Sequence, residues 1–120
     1  MDEKRGYTDA TTTVAEVKAR LRAFNQARDW EQFHHPKDLA MCLATEAGEL
    51  LEPFFWKSEG DELDMTRIEE ELADVIICAL NLASTMKVDV MAAVESKILI
   101  NHRKYPVEAS RGRAEKYSEL

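Results

Sequence analysis

At 120 residues, 45% hydrophobic and 32% charged, with only four Gly and three Pro, the chain has the size of one domain. Its composition excludes a disordered or low-complexity polypeptide and favours regular helix. A formal net charge of −7 excludes a broad phosphate-attracting surface and argues against nucleic acid as a partner.

Residues 1–12 are polar, contain Gly6 and enter a Thr11-Thr12-Thr13 run, which predicts a flexible N-terminal arm. Thr13 with Glu16 has the form of a capping box, and Val14, Val17, Leu21 and Phe24 then recur at helical spacing toward Arg28. The stretch Asp29 to Pro36 breaks that period and reads as an aromatic connector. Pro36 suits the first position of a second helix, whose face carries Leu39, Leu43, Glu46 and Leu50 until Pro53 ends or kinks it.

After the polar connector Lys57 to Asp64, Thr66 with Glu69 resembles another capping box and opens a third helix running to Thr85 or Met86. From Leu72 to Ala83 only Asp74 and Asn81 are strongly polar. A helix apolar nearly all round is buried on more than one side, which a monomer of this size does not achieve, so self-association is expected. Asp89 caps a fourth helix that carries Val90, Ala93, Val94, Ile98 and Leu99 and stops near Tyr105-Pro106.

The expected organisation is an all-α, four-helix domain over residues 13–106, followed by a tail over 107–120. His102, Arg103, Lys104, Arg111, Arg113 and Lys116 concentrate positive charge in the last fifth of the chain. Cys42 and Cys78 lie in apolar helical stretches without metal-binding spacing and read as small core residues in a reducing compartment. No apolar run reaches the length of a membrane span and no N-terminal segment resembles a signal peptide, so a cytoplasmic protein without a membrane partner is expected.

The chemistry concentrates in the acids. Asp74 sits in the apolar run Leu72 to Leu80 and is therefore expected to be buried, with Glu71 three residues before it. Glu46 and Glu49 have the same spacing inside Leu39 to Leu51. Residues three apart on a helix share a face, and a short connector makes the two helices antiparallel, so four carboxylates converge. Such a cluster is unfavourable unless a cation neutralises it. All-oxygen ligation selects magnesium, manganese or calcium over zinc, with magnesium the default and manganese possible in its place. Glu70, four residues before Asp74, is an alternative to Glu71 as the inward glutamate. A di-iron site is disfavoured because no His follows either Glu at the required spacing.

E-x-x-E followed about two dozen residues later by E-x-x-D resembles the metal motif of the all-α nucleoside triphosphate pyrophosphohydrolases, the MazG-like superfamily. Arg28 to His34, Glu46 to Leu50, Phe55-Trp56, Asn101, Lys104-Tyr105-Pro106 and Lys116 to Leu120 resemble its dCTP pyrophosphatase branch. The resemblance covers roughly residues 20–120. It implies cleavage of a deoxynucleoside triphosphate between the α and β phosphates, giving monophosphate and pyrophosphate, as house-cleaning of the nucleotide pool. dCTP or a modified dCTP is the leading substrate and broad dNTP hydrolysis comes next.

By the same resemblance Glu46, Glu49, Glu71 and Asp74 hold magnesium, and Glu49 orients the attacking water. Trp30, His34 and Trp56 line the base pocket. The position where dCTP-preferring members carry a Tyr is Cys78 here, which puts cytosine preference in question. Lys97, Asn101, Lys104 and Tyr105 fall on one helical face as a phosphate- and sugar-binding strip. The implied assembly is a homotetramer built as a dimer of dimers. The rival readings are a non-catalytic helical assembly or partner protein, in which the acids are a solvated face, and an enzyme like phosphoribosyl-ATP pyrophosphohydrolase.

Overall fold

The structure, a computed structural model, describes residues 6–120. Among these every regular element is helical, as the periodicity predicts. Two compact units are formed, one ending at Val88 and the other spanning Asp89–Leu120. The first contains α1 (Val14–Ala27), α2 (Pro36–Leu51) and α3 (Met65–Met86), with 3-10 turns at Glu31–Phe33 and Glu52–Phe54. The second contains α4 (Val90–Lys104), the short α5 (Val107–Ser110) and a 3-10 turn at Tyr117–Glu119.

Local chemistry fixes most helix ends. The Thr13 hydroxyl accepts from the Glu16 N–H at 3.1 Å while the Glu16 carboxylate accepts from the Thr13 N–H at 3.2 Å, so the predicted capping box is present. Pro36 occupies the first turn of α2, where its missing N–H costs nothing. Pro53 is buried in the 3-10 turn that ends this helix. Asp89 caps α4 by accepting from the Ala92 N–H at 3.0 Å.

The start of α3 differs from expectation. Its cap is Asp64, which accepts from the Arg67 N–H at 3.2 Å, while Thr66 lies inside the first turn. The connector supplies a stronger capping carboxylate upstream, and the Thr66–Glu69 pattern is left without a terminus to cap. Asp64→Ala is expected to cost about 1 kcal/mol in denaturant unfolding, whereas Thr66→Ala changes stability by less than about 0.5 kcal/mol.

Two chain segments also carry more structure than the sequence suggested. Pro106 opens α5 instead of a featureless tail, and Tyr117 meets Tyr105 edge-on at 6.2 Å while the Lys104 ammonium lies over its ring at 4.6 Å. Residues 1–5 of the expected arm lie outside the described residues. Further along it the Thr8 carbonyl accepts from the Thr12 N–H at 2.9 Å, and the Arg20 guanidinium lies over the Tyr7 ring at 5.1 Å.

Within the first unit, α3 is the central element. Cys42 meets Cys78, and Glu52 meets Arg67, so later residues of α2 face earlier residues of α3 and the pair is antiparallel. On its other side α3 runs antiparallel to α1: the Lys18 ammonium donates to the Val88 carbonyl at 2.7 Å, and Asn25 bonds Asn81. Besides Pro53, the buried apolar side chains among the described residues are Leu39, Cys78, Leu80 and Ala83. Leu72, Ile76 and Ile77 on α3, and Met91, Val94, Ile98 and Leu99 on α4, are exposed. No single helix among the described residues is long and apolar enough to cross a membrane.

Candidate active site

The antiparallel register of α2 and α3 sets their acidic faces against each other. Glu46, Glu49 and Glu71 can each present a carboxylate oxygen such that all lie within 4.8 Å of one another. One turn along, the Sγ atoms of Cys42 and Cys78 are 3.4 Å apart, beside Glu46. The cysteines are thus partners across the helix pair, although only Cys78 is buried; Cys42 is exposed, contrary to its expected place in the core.

The electrostatics of the cluster follow from its packing. Burial raises the Glu46 carboxyl pKa, reinforced by a hydrogen bond with Glu49 and by repulsion from Glu49, Asp74 and Glu71. Glu71 is raised by burial and by Glu49, against the lowering effect of Arg67. Burial first, then the Cys42 contact, pushes the Cys78 thiol up to about 12, so it stays protonated at neutral pH. Arg67 donates to the Glu52 carboxylate at 2.7 Å and approaches Glu71 at 4.0 Å. The Oε2 atoms of Glu46 and Glu71 remain buried with no hydrogen-bond partner.

Two orphaned carboxylate oxygens beside a third carboxylate are the donor set a hard divalent cation requires, so these residues fit magnesium or manganese. A pH dependence follows for the metal-free protein. Glu46 and Glu71 bind protons more tightly when folded than at the ordinary value of 4.5. Their contribution to stability is therefore fully present below 4.5 and is lost as pH rises through the elevated folded values. Thermal melts of chelator-treated protein are expected to fall across that window, and added magnesium to flatten the decline.

The other expected site residues are placed unequally. Asp74 is exposed, not buried: its apolar sequence neighbours point around other sides of α3, but its charge still contributes to raising Glu46 and Glu71. Trp30 and half-buried His34 line a cavity of about 450 Å³ together with Leu21, Phe24, Asn25, Cys42, Ile77 and Asn81. Phe24 supports Trp30 edge-on at 5.7 Å. Trp56 is not brought there: it follows the Pro53 turn with φ of 64° and is 99% exposed. Cys78 does not line this cavity either; Cys42, against which it packs, does. Lys97, Asn101, Lys104 and Tyr105 belong to the second unit, where Lys104 and Tyr105 are engaged with Tyr117.

Asn25 was missed as a cavity residue, although a polar side chain next to Phe24 and one turn from Leu21 is a visible break in the α1 stripe. Asn81 stood out as polar, but its partner lies 56 positions away in sequence.

Residues 42–120 match the MazG-like family. The chain belongs to that family. It is 39% identical over 115 residues to dCTP pyrophosphatase 1 of Homo sapiens, covering 90% of this chain and 68% of the relative. Identity is 40% to the Rattus norvegicus protein of the same name, over the same shares. Among solved structures it resembles a pyrophosphatase from Archaeoglobus fulgidus DSM 4304, with a TM-score of 0.72 and 33% identity over 88% of this chain and 99% of that one. This MazG-like chain is an enzyme of the nucleoside triphosphate pyrophosphatase class.

Proposed function

We propose that this MazG-like protein is a divalent-metal-dependent dNTP pyrophosphohydrolase that favours dCTP or a modified dCTP and releases dNMP and pyrophosphate. The observation that carries the metal is the pair of buried, unpartnered oxygens on Glu46 and Glu71 beside Glu49. The named activity of the curated relatives supports the substrate.

Glu46, Glu49, Glu71 and Asp74 would hold magnesium, with manganese as a substitute. When bound, the ion would neutralise phosphate charge and acidify a water. Glu49 is the carboxylate assigned to orient that water, since among the clustered glutamates it is the one without an orphaned buried oxygen. Trp30 offers a flat wall for a base and His34 a polar edge beside it. Lys97, Asn101, Lys104 and Tyr105 are assigned to phosphate and sugar. Trp56 and Cys78 are assigned to closing the base site and shaping its back wall, respectively.

In this reading residues 13–106 are the catalytic helical domain, active in the cytoplasm as a dimer of dimers. The exposed apolar faces of α3 and α4 support self-association. Turnover of a panel of dNTPs, NTPs and 5-modified dCTPs with magnesium tests the proposal. The expected products are monophosphate and pyrophosphate; orthophosphate release, or no turnover of any triphosphate, would refute it.

A further inference from the structure

Asn25 is the buried polar residue among the described residues, at 6% exposure, and it lines two cavities of the first unit. Its side-chain nitrogen donates to the Asn81 side-chain oxygen at 3.1 Å, and Asn81 lines the same two cavities. The larger cavity, about 450 Å³, is otherwise walled by Trp30, Phe24 and Ile77, with His34 shared. The Asn25 backbone carbonyl also accepts from the Trp30 N–H at 3.0 Å, so the aromatic wall and the amide pair are fixed to each other.

An amide has one acceptor oxygen and two donor hydrogens. Joined by one hydrogen bond, two amides leave the donating residue its carbonyl oxygen and a second N–H, and the accepting residue its amino group. This holds if both amides are flipped; only the sites exchange. In the observed orientation the free oxygen is on Asn25 and the free amino group on Asn81. A 4-aminopyrimidine presents the matching edge: its exocyclic amine donates and the adjacent ring nitrogen accepts. The flipped pair would suit a 4-oxo pyrimidine.

Resting on the proposed dNTP activity, we infer that the Asn25–Asn81 amide pair is the specificity-determining element of this enzyme, reading the hydrogen-bonding edge of a pyrimidine held against Trp30. A part-buried amide pair serving only to join α1 to α3 would need no cavity on its far side. Here the pair faces two, and the larger is otherwise mostly apolar and aromatic, the pattern of a small-molecule site with few placed polar groups, while the smaller is lined by Arg22, Glu31, Ser84 and Thr85.

The test is the double variant Asn25→Leu/Asn81→Leu, in which both partners become apolar together and no lone polar group is left buried. Values of kcat/KM for the four dNTPs are compared in wild type and variant. The wild-type preference for dCTP over dTTP is expected to shrink by roughly tenfold or more. An unchanged ranking, or a parallel loss for all bases, overturns the inference while leaving the proposed activity standing. A wild type that ranks the bases equally also overturns it. No turnover of any dNTP by wild type overturns both.

Side-chain amide NMR signals of wild-type protein give a readout that does not depend on the variant folding. With dCMP as probe, the Asn25 and Asn81 NH2 resonances are expected to shift, and more than with dTMP. Equal or absent shifts for the two nucleotides count against the inference.

Discussion

Glu46→Gln is expected to lower kcat/KM by about a thousandfold or more, roughly 4 kcal/mol of transition-state stabilisation, while the metal-free protein melts no lower than wild type. The two effects share one cause. Glu46 is repelled by Glu49, Asp74 and Glu71, and its Oε2 is buried without a partner. Gln keeps the shape, removes the charge and supplies an N–H that a neighbouring carboxylate can accept, so a repulsion becomes a hydrogen bond. The same change removes a ligand from the proposed metal site. Pyrophosphate release should therefore fall while the metal-free melting temperature holds or rises, and the stabilisation that magnesium gives wild type should be lost. A variant that retains turnover refutes the metal role, and one that loses activity and stability in proportion indicates a purely structural glutamate.

The largest expected loss of stability is at Leu80, which is 6% exposed on α3. Leu80→Ala removes buried methyl groups and leaves a cavity that rigid helices fill only in part, costing ~2–4 kcal/mol. For a domain of this size that lowers the melting temperature by roughly 10 °C or more. Leu72→Ala is the informative companion, because Leu72 is 47% exposed in the single chain. It should cost less than about 0.5 kcal/mol if that face meets water. A comparable loss with concentration-dependent melting would show that a second copy covers α3.

What the sequence revealed was mostly local. Thr13, Pro36 and Asp89 announce helix starts because the capping group and the group it satisfies lie within one turn. Thr66 misled for the same reason: the pattern was present, but Asp64 just upstream takes the terminus. The meeting of Glu46, Glu49 and Glu71 was legible because three-residue spacing and a short connector fix both face and direction. Burial was less legible. Apolar neighbours in sequence occupy other sides of a helix, so Asp74 can be exposed within Leu72 to Leu80. The Cys42–Cys78 contact and the Asn25–Asn81 bond depend on how three helices pack, which no local pattern encodes. Trp56 resembled a pocket residue by motif, yet a left-handed backbone after Pro53 turns it outward.

Arg67 bridges Glu52 and Glu71 at the edge of the acidic cluster. A tethered guanidinium therefore offsets part of the negative field at Glu71, where it opposes burial and Glu49. Being fixed to the same helix, four residues from Glu71, it cannot diffuse away as a free counter-ion does. The helix pair thus carries part of its own charge compensation, set by a residue that lies outside the acidic motif.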